Sequence, residues 1–277
     1  MSDQVVQRKS GVVRTLLRAG MKMSSRLFPK TSTIRQTQLD GLALAVWSNE
    51  YIGQRILTTG SFEKEDLARL SEFVGRGDTC IDVGANIGIY SIFLARLVGV
   101  DGRVVAFEPV RRNALLTELN CELNGFRNVS VQAVPLSDRS GKSLTAHVPE
   151  GDSAYSYFSD DGTAGDTGDS LTLDDYCTKT GLSSVAFIKI DVEGAEFTVL
   201  KGASQLLSSP GRPRAIMVEL VDEYLARFSH TVADLCAWME VHGYVSHAVR
   251  NGRLTPVSAA EINIENVFFM TGAPSSE

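Results

Sequence analysis

Acidic side chains follow two apolar segments, at positions where a folded sheet could use them for chemistry. Asp191, Glu193 and Glu196 come after the segment that begins at Phe187, and Glu219 lies near the end of a later apolar segment. In an open parallel sheet, ligands bind at the carboxyl ends of the strands. Carboxylates at that edge can accept a proton from a hydroxyl group or hold a hard cation such as Mg²⁺.

Asp191 is the first candidate for a general base or a substrate-orienting group, Glu193 is the second, and Glu219 is the third. The alternative for Asp191 and Glu193 is a buried ion pair with Lys189. Glu196 could equally favour the start of the following helix through the helix dipole. We assign no metal ligands, and Mg²⁺ among the carboxylates stays open as an alternative that would orient a diol and lower its pKa.

A glycine-bearing turn from Asp82 to Gly88 is the second segment suited to chemistry. It follows a predicted buried strand, 79–83, and precedes a helix that begins near Asn86. The spacing Gly-x-Asn-x-Gly differs from the Gly-x-Gly-x-x-Gly pattern that cradles a pyrophosphate. Asp82 would repel a phosphate group and attract a cation. S-adenosylmethionine, which carries an ammonium and a sulfonium group, therefore fits this turn better than NAD.

Further polar residues follow the next two predicted strands. Glu108 lies twenty residues after Gly88, where a doubly wound nucleotide-binding fold places the carboxylate that contacts ribose hydroxyls. A simple turn role is the alternative. Ser137 and Asp138 follow the third predicted strand, where polar residues lie beside the adenine in this architecture. An Asx turn would explain these two residues equally well.

Strands and helices alternate along the part of the chain that carries these residues. Apolar segments predict strands at 79–83, 103–108, 129–134, 187–192, 215–220, 244–248 and 266–270. Helical spacing predicts helices at 60–74, 86–98, 111–123 and 195–207. This alternation predicts an α/β fold with a doubly wound, mostly parallel sheet and helices on both of its faces.

Residues 149–170 are rich in Gly, Asp and Ser and predict a long loop or hairpin that faces the substrate. Tyr155, Tyr157 and Phe158 within it could stack on a sugar or another ring. Packing of these three rings against the sheet is the alternative. The segment is therefore a candidate determinant of acceptor specificity.

Composition and charge exclude some classes of function. The 277 residues carry a net charge of −6, which argues against a nucleic-acid binder with a basic face. The four cysteines show no metal-binding spacing, so we expect structural thiols in a reducing compartment, the cytoplasm.

The first residues of the chain differ from the rest. Residues 1–35 contain eight Lys or Arg and one acidic residue. Residues 12–28 can form a basic amphipathic helix, which would be either an accessory helix or a weak contact with an anionic membrane surface or a partner. We therefore expect an N-terminal accessory segment at 1–59, consisting of this helix and a small β element, and a catalytic domain at 60–277.

Taken together, the motifs resemble those of FkbM-type S-adenosylmethionine-dependent methyltransferases, many of which methylate hydroxyl groups on sugars and natural products. The matching segments, in the expected order, are 81–88 (IDVGANIG), 106–109 (AFEP), 136–138 (LSD), 173–176 (LDDY), 188–196 (IKIDVEGAE) and 266–269 (NVFF). Pro135 departs from the small residue that is usual there, and residues 1–35 lie outside the resemblance.

The resemblance implies a seven-stranded Rossmann-like sheet whose last strand is antiparallel. It also implies that Asp82, Gly84, Asn86 and Gly88 surround the methionine part of S-adenosylmethionine and that Glu108 contacts its ribose. The expected function is O-methylation of a hydroxyl on a sugar, a polysaccharide precursor or a natural product. A non-catalytic cofactor-binding or scaffold protein on the same fold is the alternative, followed by a nicotinamide-dependent dehydrogenase.

Overall fold

The structure, a computed structural model, describes residues 33–149, 152–160, 165–263 and 265–272. The predicted amphipathic helix at 12–28 lies outside these residues. Within them, no helix has both the length and the apolar character needed to cross a bilayer. The four cysteines are buried free thiols.

The strands and helices of the described residues have the following bounds. The strands are β1 (Ile34–Leu39), β2 (Leu42–Trp47), β3 (Thr79–Val83), β4 (Arg103–Phe107), β5 (Val129–Gln132), β6 (Ser143–His147), β7 (Tyr157–Ser159), β8 (Thr167–Asp169), β9 (Phe187–Ile190), β10 (Ala215–Leu220), β11 (Val245–Arg250), β12 (Arg253–Pro256) and β13 (Glu265–Met270). The helices are α1 (Tyr51–Thr59), α2 (Lys64–Phe73), α3 (Ile89–Val98), α4 (Arg111–Leu123), α5 (Leu173–Thr180), α6 (Glu196–Lys201), α7 (Ser204–Ser208), α8 (Asp222–Leu225) and α9 (Val232–Val241).

The main sheet of the described residues has eight strands in the order β12-β11-β13-β10-β9-β3-β4-β5. The strands from β5 to β10 are parallel, whereas β13 is antiparallel to β10, and β11 is antiparallel to β13. The prediction of a doubly wound, mostly parallel sheet is confirmed. An eighth strand, β12, joins the expected seven because Asn251 and Gly252 have positive φ and form a tight hairpin turn.

Burial on both faces explains why the central strands are continuous apolar segments. All four residues of β9 are buried, and one apolar cluster lies on each face of the sheet. The chain moves outward from β3 through β4 to β5 and then returns to β9 on the other side of β3. Such a change of direction opens a crevice at the carboxyl ends of the strands.

The hairpin of β1 and β2 packs against α4 through side-chain amides. The Asn120 side chain accepts a hydrogen bond from the Ala45 N–H (2.6 Å) and donates one to the Ala45 carbonyl (3.0 Å). Leu44 and Trp47 belong to the apolar cluster on one face of the sheet. Residues 34–59 therefore share the core of the main sheet, and the boundary at residue 60 stays a prediction.

Two predicted elements differ in the structure. Residues 143–169, which include most of the predicted loop, contain a small antiparallel sheet in the order β7-β6-β8. The helix expected at 195–207 is divided into α6 and α7 at Gly202. A Cβ at Gly202 would lie 2.1 Å from the Ser137 carbonyl oxygen. This close packing explains why a glycine occupies the position between the two helices.

Candidate active site

A cavity lies at the carboxyl ends of β3, β4 and β9, where the strand order changes direction. Its lining includes the end of β3 and the turn after it (83–87), the end of β4 and the segment after it (107–110), and the segment after β5 (134–136). It also includes residue 189 of β9 and residues 191–193 after that strand. Residues 153, 154 and 156–158 contribute from β7 and from the loop between β6 and β7. The two segments that the sequence singled out therefore meet at one cavity.

The turn after β3 is shaped by close backbone contacts. Gly84 has φ 75°, and a Cβ there would lie 1.7 Å from the Asp191 carbonyl oxygen, so only glycine lets the two segments approach. Asn86 also has positive φ, 50°, and its N–H donates to Glu108 Oε2 (2.7 Å). Both residues line the cavity.

Glu108 holds the loops after β3 and β4 together. Its Oε1 accepts a hydrogen bond from the Val110 N–H (2.8 Å), and its Oε2 accepts the one from Asn86. Burial raises the pKa of Glu108 to about 7, although both backbone hydrogen bonds oppose the rise. Because each carboxylate oxygen can accept two hydrogen bonds, Glu108 keeps acceptor capacity at the cavity.

Asp82 and Gly88 lie behind the cavity wall rather than in it. Asp82 is fully buried, and its Oδ2 accepts a hydrogen bond from the Ser91 hydroxyl (2.5 Å). Its Oδ1 has no hydrogen-bond partner and lies 4.0 Å from Lys189 Nζ. Gly88 packs against Thr117, which a Cβ would approach to 2.7 Å. These contacts give both residues a structural reason for their presence.

Ser137 and Asp138 are also outside the cavity lining, which includes Pro135 and Leu136 instead. The Ser137 hydroxyl donates to Asp138 Oδ1 (3.1 Å), and that oxygen lies 3.9 Å from Lys142 Nζ. Their side chains therefore contact each other and Lys142, and the adenine role and the Asx turn both stay predictions.

Carboxylates cluster where β9 and β10 end. Asp191 Oδ2 accepts a hydrogen bond from the buried Lys189 Nζ (3.0 Å), so the predicted alternative of an ion pair is present for Asp191. One carboxylate oxygen each of Asp191, Glu193 and Glu219 lies within 4.8 Å of the others. Asp191 and Glu193 line the cavity, whereas Glu219 lies beside it.

The proximity of these groups changes their proton affinity. Burial, with the charges of Asp191 and Glu196, raises the pKa of Glu193 to about 8. The charge of Asp191 raises the pKa of Glu219 to about 9, with burial as the second cause. Burial acts to lower the pKa of Lys189, but the charges of Asp191, Asp82 and Glu63 outweigh it and raise this pKa. The cluster therefore retains protons near neutral pH.

Glu193 stands on a constrained backbone. It has φ 57°, a conformation that a residue with a side chain rarely adopts, and Gly194 follows with φ 113°. A Cβ at Gly194 would lie 2.3 Å from the Tyr224 carbonyl oxygen. Arg227 Nη1 donates to the Glu193 carbonyl oxygen (3.1 Å) and fixes the turn further. Such strain is concentrated at functional sites.

Two further glutamates, Glu196 and Glu63, accept hydrogen bonds near the cavity. Glu196 Oε1 accepts the N–H groups of Val192 and Gly194, each at 3.0 Å, which is the helix-start role that the sequence left open. Glu63 lines the cavity and accepts a hydrogen bond from the Tyr90 hydroxyl (2.5 Å).

A buried polar network holds the segment that covers the cavity. Ser153 donates its N–H (3.0 Å) and its hydroxyl (2.6 Å) to Glu50 Oε2, and Arg112 Nη1 lies 2.6 Å from Glu50 Oε1. Farther along, the Arg227 guanidinium lies over the ring of Tyr157, 5.0 Å from its centroid. Sequence gave no signal for this network, because its members are far apart in the chain.

Comparisons with known proteins agree with the motifs. The model of the methyltransferase FkbM domain matches residues 82–246, more than half of the chain. No curated protein matches the sequence.

Solved structures with a similar fold include two O-methyltransferases. One, S-adenosylmethionine-dependent and from Thermotoga maritima, shares 13% identity with a TM-score of 0.46 and covers 88% of this chain and 79% of its own. The other, from Bacillus cereus in complex with SAH, shares 14% identity with a TM-score of 0.45 and covers 94% and 96%. These similarities are low and identify neither an acceptor nor site residues.

Proposed function

The chain belongs to the FkbM methyltransferase family, and we propose that it methylates a hydroxyl group of a sugar, a polysaccharide precursor or a natural product. It is a methyltransferase that uses S-adenosylmethionine, as the motifs predicted. The dehydrogenase alternative is not supported. The observation that carries the proposed hydroxyl acceptor is the convergence of Asp191, Glu193 and Glu219 beside the cavity.

The cavity residues fit the cofactor. Glu108 presents a buried carboxylate with remaining acceptor capacity, which suits ribose hydroxyls. Gly84 and Asn86 bring backbone to the cavity surface without a bulky side chain between them and a ligand. Asp82 supports them from behind, through Ser91 and the buried Lys189. Ser137 and Asp138 would help only indirectly, by supporting the segment that contains Leu136.

S-adenosylmethionine supplies an activated methyl group on a sulfonium, so the protein must chiefly hold the acceptor oxygen in line with that group. An alcohol also has to lose its proton near the transition state. Among the described residues that line the cavity, the side chains able to take that proton near neutral pH are carboxylates. This chemistry favours a carboxylate base over a histidine.

Asp191 remains the first candidate for the residue that orients the hydroxyl and receives its proton. Lys189 holds its Oδ2, which fixes the side chain and leaves Oδ1 for an acceptor. Glu193 and Glu219 lie close by with pKa values raised to about 8 and about 9, so near neutral pH both retain protons and can donate hydrogen bonds within the cluster. Glu193 is the second candidate and Glu219, outside the cavity lining, is the third.

Two measurements test the proposal. Calorimetry should detect binding of S-adenosylmethionine and no binding of NAD. Incubation of small-molecule extracts with the enzyme and isotopically labelled S-adenosylmethionine should yield a labelled product whose new methyl group is bonded to oxygen. Cofactor binding without transfer to any acceptor would instead favour a scaffold protein.

A further inference from the structure

The three carboxylates beside the cavity have a spacing that one cation can bridge. Oxygens of Asp191, Glu193 and Glu219 lie within 4.8 Å of one another. Two ligand oxygens on opposite sides of a cation are separated by twice the metal–oxygen distance, about 4.0–4.2 Å for Mg²⁺ and about 4.6–5.2 Å for Ca²⁺. This limit of 4.8 Å falls in the Ca²⁺ range, and Mg²⁺ would require any oxygens at the limit to move closer together.

A second observation concerns Glu193 alone. Its residue is 7% exposed, and its Oε2 is buried without any hydrogen-bond partner. Buried polar atoms are almost always hydrogen-bonded, because an unpartnered one forfeits the interactions it would make with water. This oxygen belongs to a carboxyl group that faces Asp191 and Glu219, so a ligand for it would lie within the cluster.

Among the described residues, the neighbouring Lys and Arg side chains form no ion pair with two of the three carboxylates in the cluster. Lys189 contacts Asp191 and lies 4.0 Å from Asp82 Oδ1, so it already serves two carboxylates. Arg227 donates to the backbone carbonyl of Glu193 rather than to its carboxylate. In the part of the chain that the structure describes, neither Glu193 nor Glu219 has a Lys or Arg nitrogen at ion-pair distance.

The backbone at Glu193 is held in a conformation that residues with side chains rarely adopt. Its positive φ is fixed by the tight contact of Gly194 with the Tyr224 carbonyl and by the hydrogen bond from Arg227. Backbone strain of this kind is concentrated at active sites and ligand-binding segments.

We propose that Asp191, Glu193 and Glu219 bind one hard divalent cation of the Mg²⁺ class beside the cofactor cavity. The ligand atoms are all carboxylate oxygens, which suit Mg²⁺, Mn²⁺ or Ca²⁺ and not a metal that prefers sulfur or imidazole. Three protein oxygens leave about three of six octahedral positions for water or substrate.

The cation also narrows the acceptor class, an extension that rests on the proposed function. Asp191 and Glu193 line the cavity, so open coordination positions would face the acceptor. Two adjacent oxygens of one molecule can occupy two such positions together. The acceptor is therefore a vicinal diol, or a hydroxyl next to another oxygen, and its bound hydroxyl has a lowered pKa.

Binding of Mn²⁺ to the full chain tests the site without any methyl transfer. Free Mn²⁺ is followed by electron paramagnetic resonance as it is titrated into metal-stripped protein, and Mg²⁺ and Ca²⁺ are added as competitors. We expect one site per chain, displacement by Mg²⁺, and affinities lowered about tenfold or more in Glu193→Gln and Glu219→Gln. Glu223→Gln, the same substitution at an exposed position near the site, should bind Mn²⁺ with the affinity of wild type.

The outcomes separate this site from the proposed function. The cation site would be overturned if wild type bound no Mn²⁺, or if Mn²⁺ bound equally to Glu193→Gln, Glu219→Gln and Glu223→Gln. In that case, methyl transfer to oxygen in the presence of EDTA would still leave the proposed function intact. Metal binding without transfer to any oxygen acceptor would keep the site and remove the proposed function. Circular dichroism and melting temperatures confirm that each variant is folded.

Discussion

At the residue scale, the chemistry of the active-site cavity depends on carboxyl groups that are largely buried from solvent. Glu108 on one side of the cavity and Glu193 on the other both have a raised pKa, about 7 and about 8. Asp191, between them, is in direct contact with the buried Lys189. Groups whose environments differ in this way are suited to different tasks, cofactor binding on one side and acceptor chemistry on the other.

Replacement of Asp191 by Asn should separate chemistry from cofactor binding. The amide keeps the size of the side chain but cannot accept the hydroxyl proton, so turnover should fall about 10²–10⁴-fold. The dissociation constant of S-adenosylmethionine, measured by calorimetry, should change by less than about threefold. Asp169→Asn, at an exposed position in β8, is the matched control. Unchanged turnover in Asp191→Asn would show that another group serves as the base.

Cofactor affinity should depend on pH through Glu108. An ionised carboxylate is the stronger hydrogen-bond acceptor for ribose hydroxyls, and burial raises the pKa of this group to about 7. The dissociation constant should therefore fall as pH rises from about 6 to about 8. Glu108→Gln should bind about tenfold more weakly and lose this pH dependence, whereas a retained pH slope would rule out Glu108 as its source.

At the element scale, the cover of the cavity is attached to the N-terminal hairpin and α4. Glu50 follows β2, Arg112 lies in α4, and Ser153 belongs to the covering segment. Glu50 and Arg112 are both almost fully buried, so their ion pair is little screened by solvent. One carboxylate thus joins three elements that are distant in sequence.

Glu50→Ala should therefore loosen the cover and weaken the fold. Removal of one partner from a buried ion pair typically destabilises a protein by about 3–5 kcal/mol. Urea unfolding measures this change, and the KM for the acceptor should rise because the cover is less ordered. Glu72→Ala removes a surface partner of Arg69 and should change stability by about 1 kcal/mol or less. Similar effects of the two substitutions would contradict the role of Glu50.

Much of the element order could be predicted because buried parallel strands have a strong apolar signature. The bounds of β3, β10 and α4 match their predicted ranges. The small sheet of β6, β7 and β8 was missed because its strands are short and its segment is rich in Gly and Asp. The break between α6 and α7 depends on the Ser137 carbonyl, a contact that sequence cannot reveal.

The site could be predicted only where neighbouring residues in sequence stay neighbours in space. Short motifs placed Asp191, Glu193 and Glu108 near one edge, and they lie at one cavity. Glu63, the Glu50 network and the unpartnered oxygen of Glu193 depend on side-chain packing between distant segments. Such contacts follow from the folded geometry and not from local pattern.

At the scale of the whole molecule, one edge of the sheet collects acidic groups. Burial and mutual repulsion raise the pKa values of Glu108, Glu193, Glu196 and Glu219 to about 7, 8, 7 and 9. At intermediate pH the folded protein holds protons that the unfolded chain has released. The contribution of these groups to the free energy of unfolding is therefore greatest below a pH of about 4.5, and it falls as the pH rises toward 9.

The double variant Glu193→Gln/Glu219→Gln should remove much of this dependence. Amides cannot ionise, so the melting temperature in EDTA should fall less between pH 6 and pH 9 than that of wild type. Glu223→Gln, the same substitution at an exposed position, serves as the control. Parallel curves for the double variant and wild type would mean that the acidic cluster does not limit stability.

The identity of the bond that forms tests the central claim most directly. Enzyme is incubated with methyl-labelled S-adenosylmethionine and pooled small-molecule extracts, and the labelled product is isolated by mass spectrometry and examined by nuclear magnetic resonance. The account predicts a methyl ether on a hydroxyl with an adjacent oxygen, formed by wild type and strongly reduced with Asp191→Asn. A labelled methyl group on nitrogen or carbon, or equal labelling by Asp191→Asn, would contradict it.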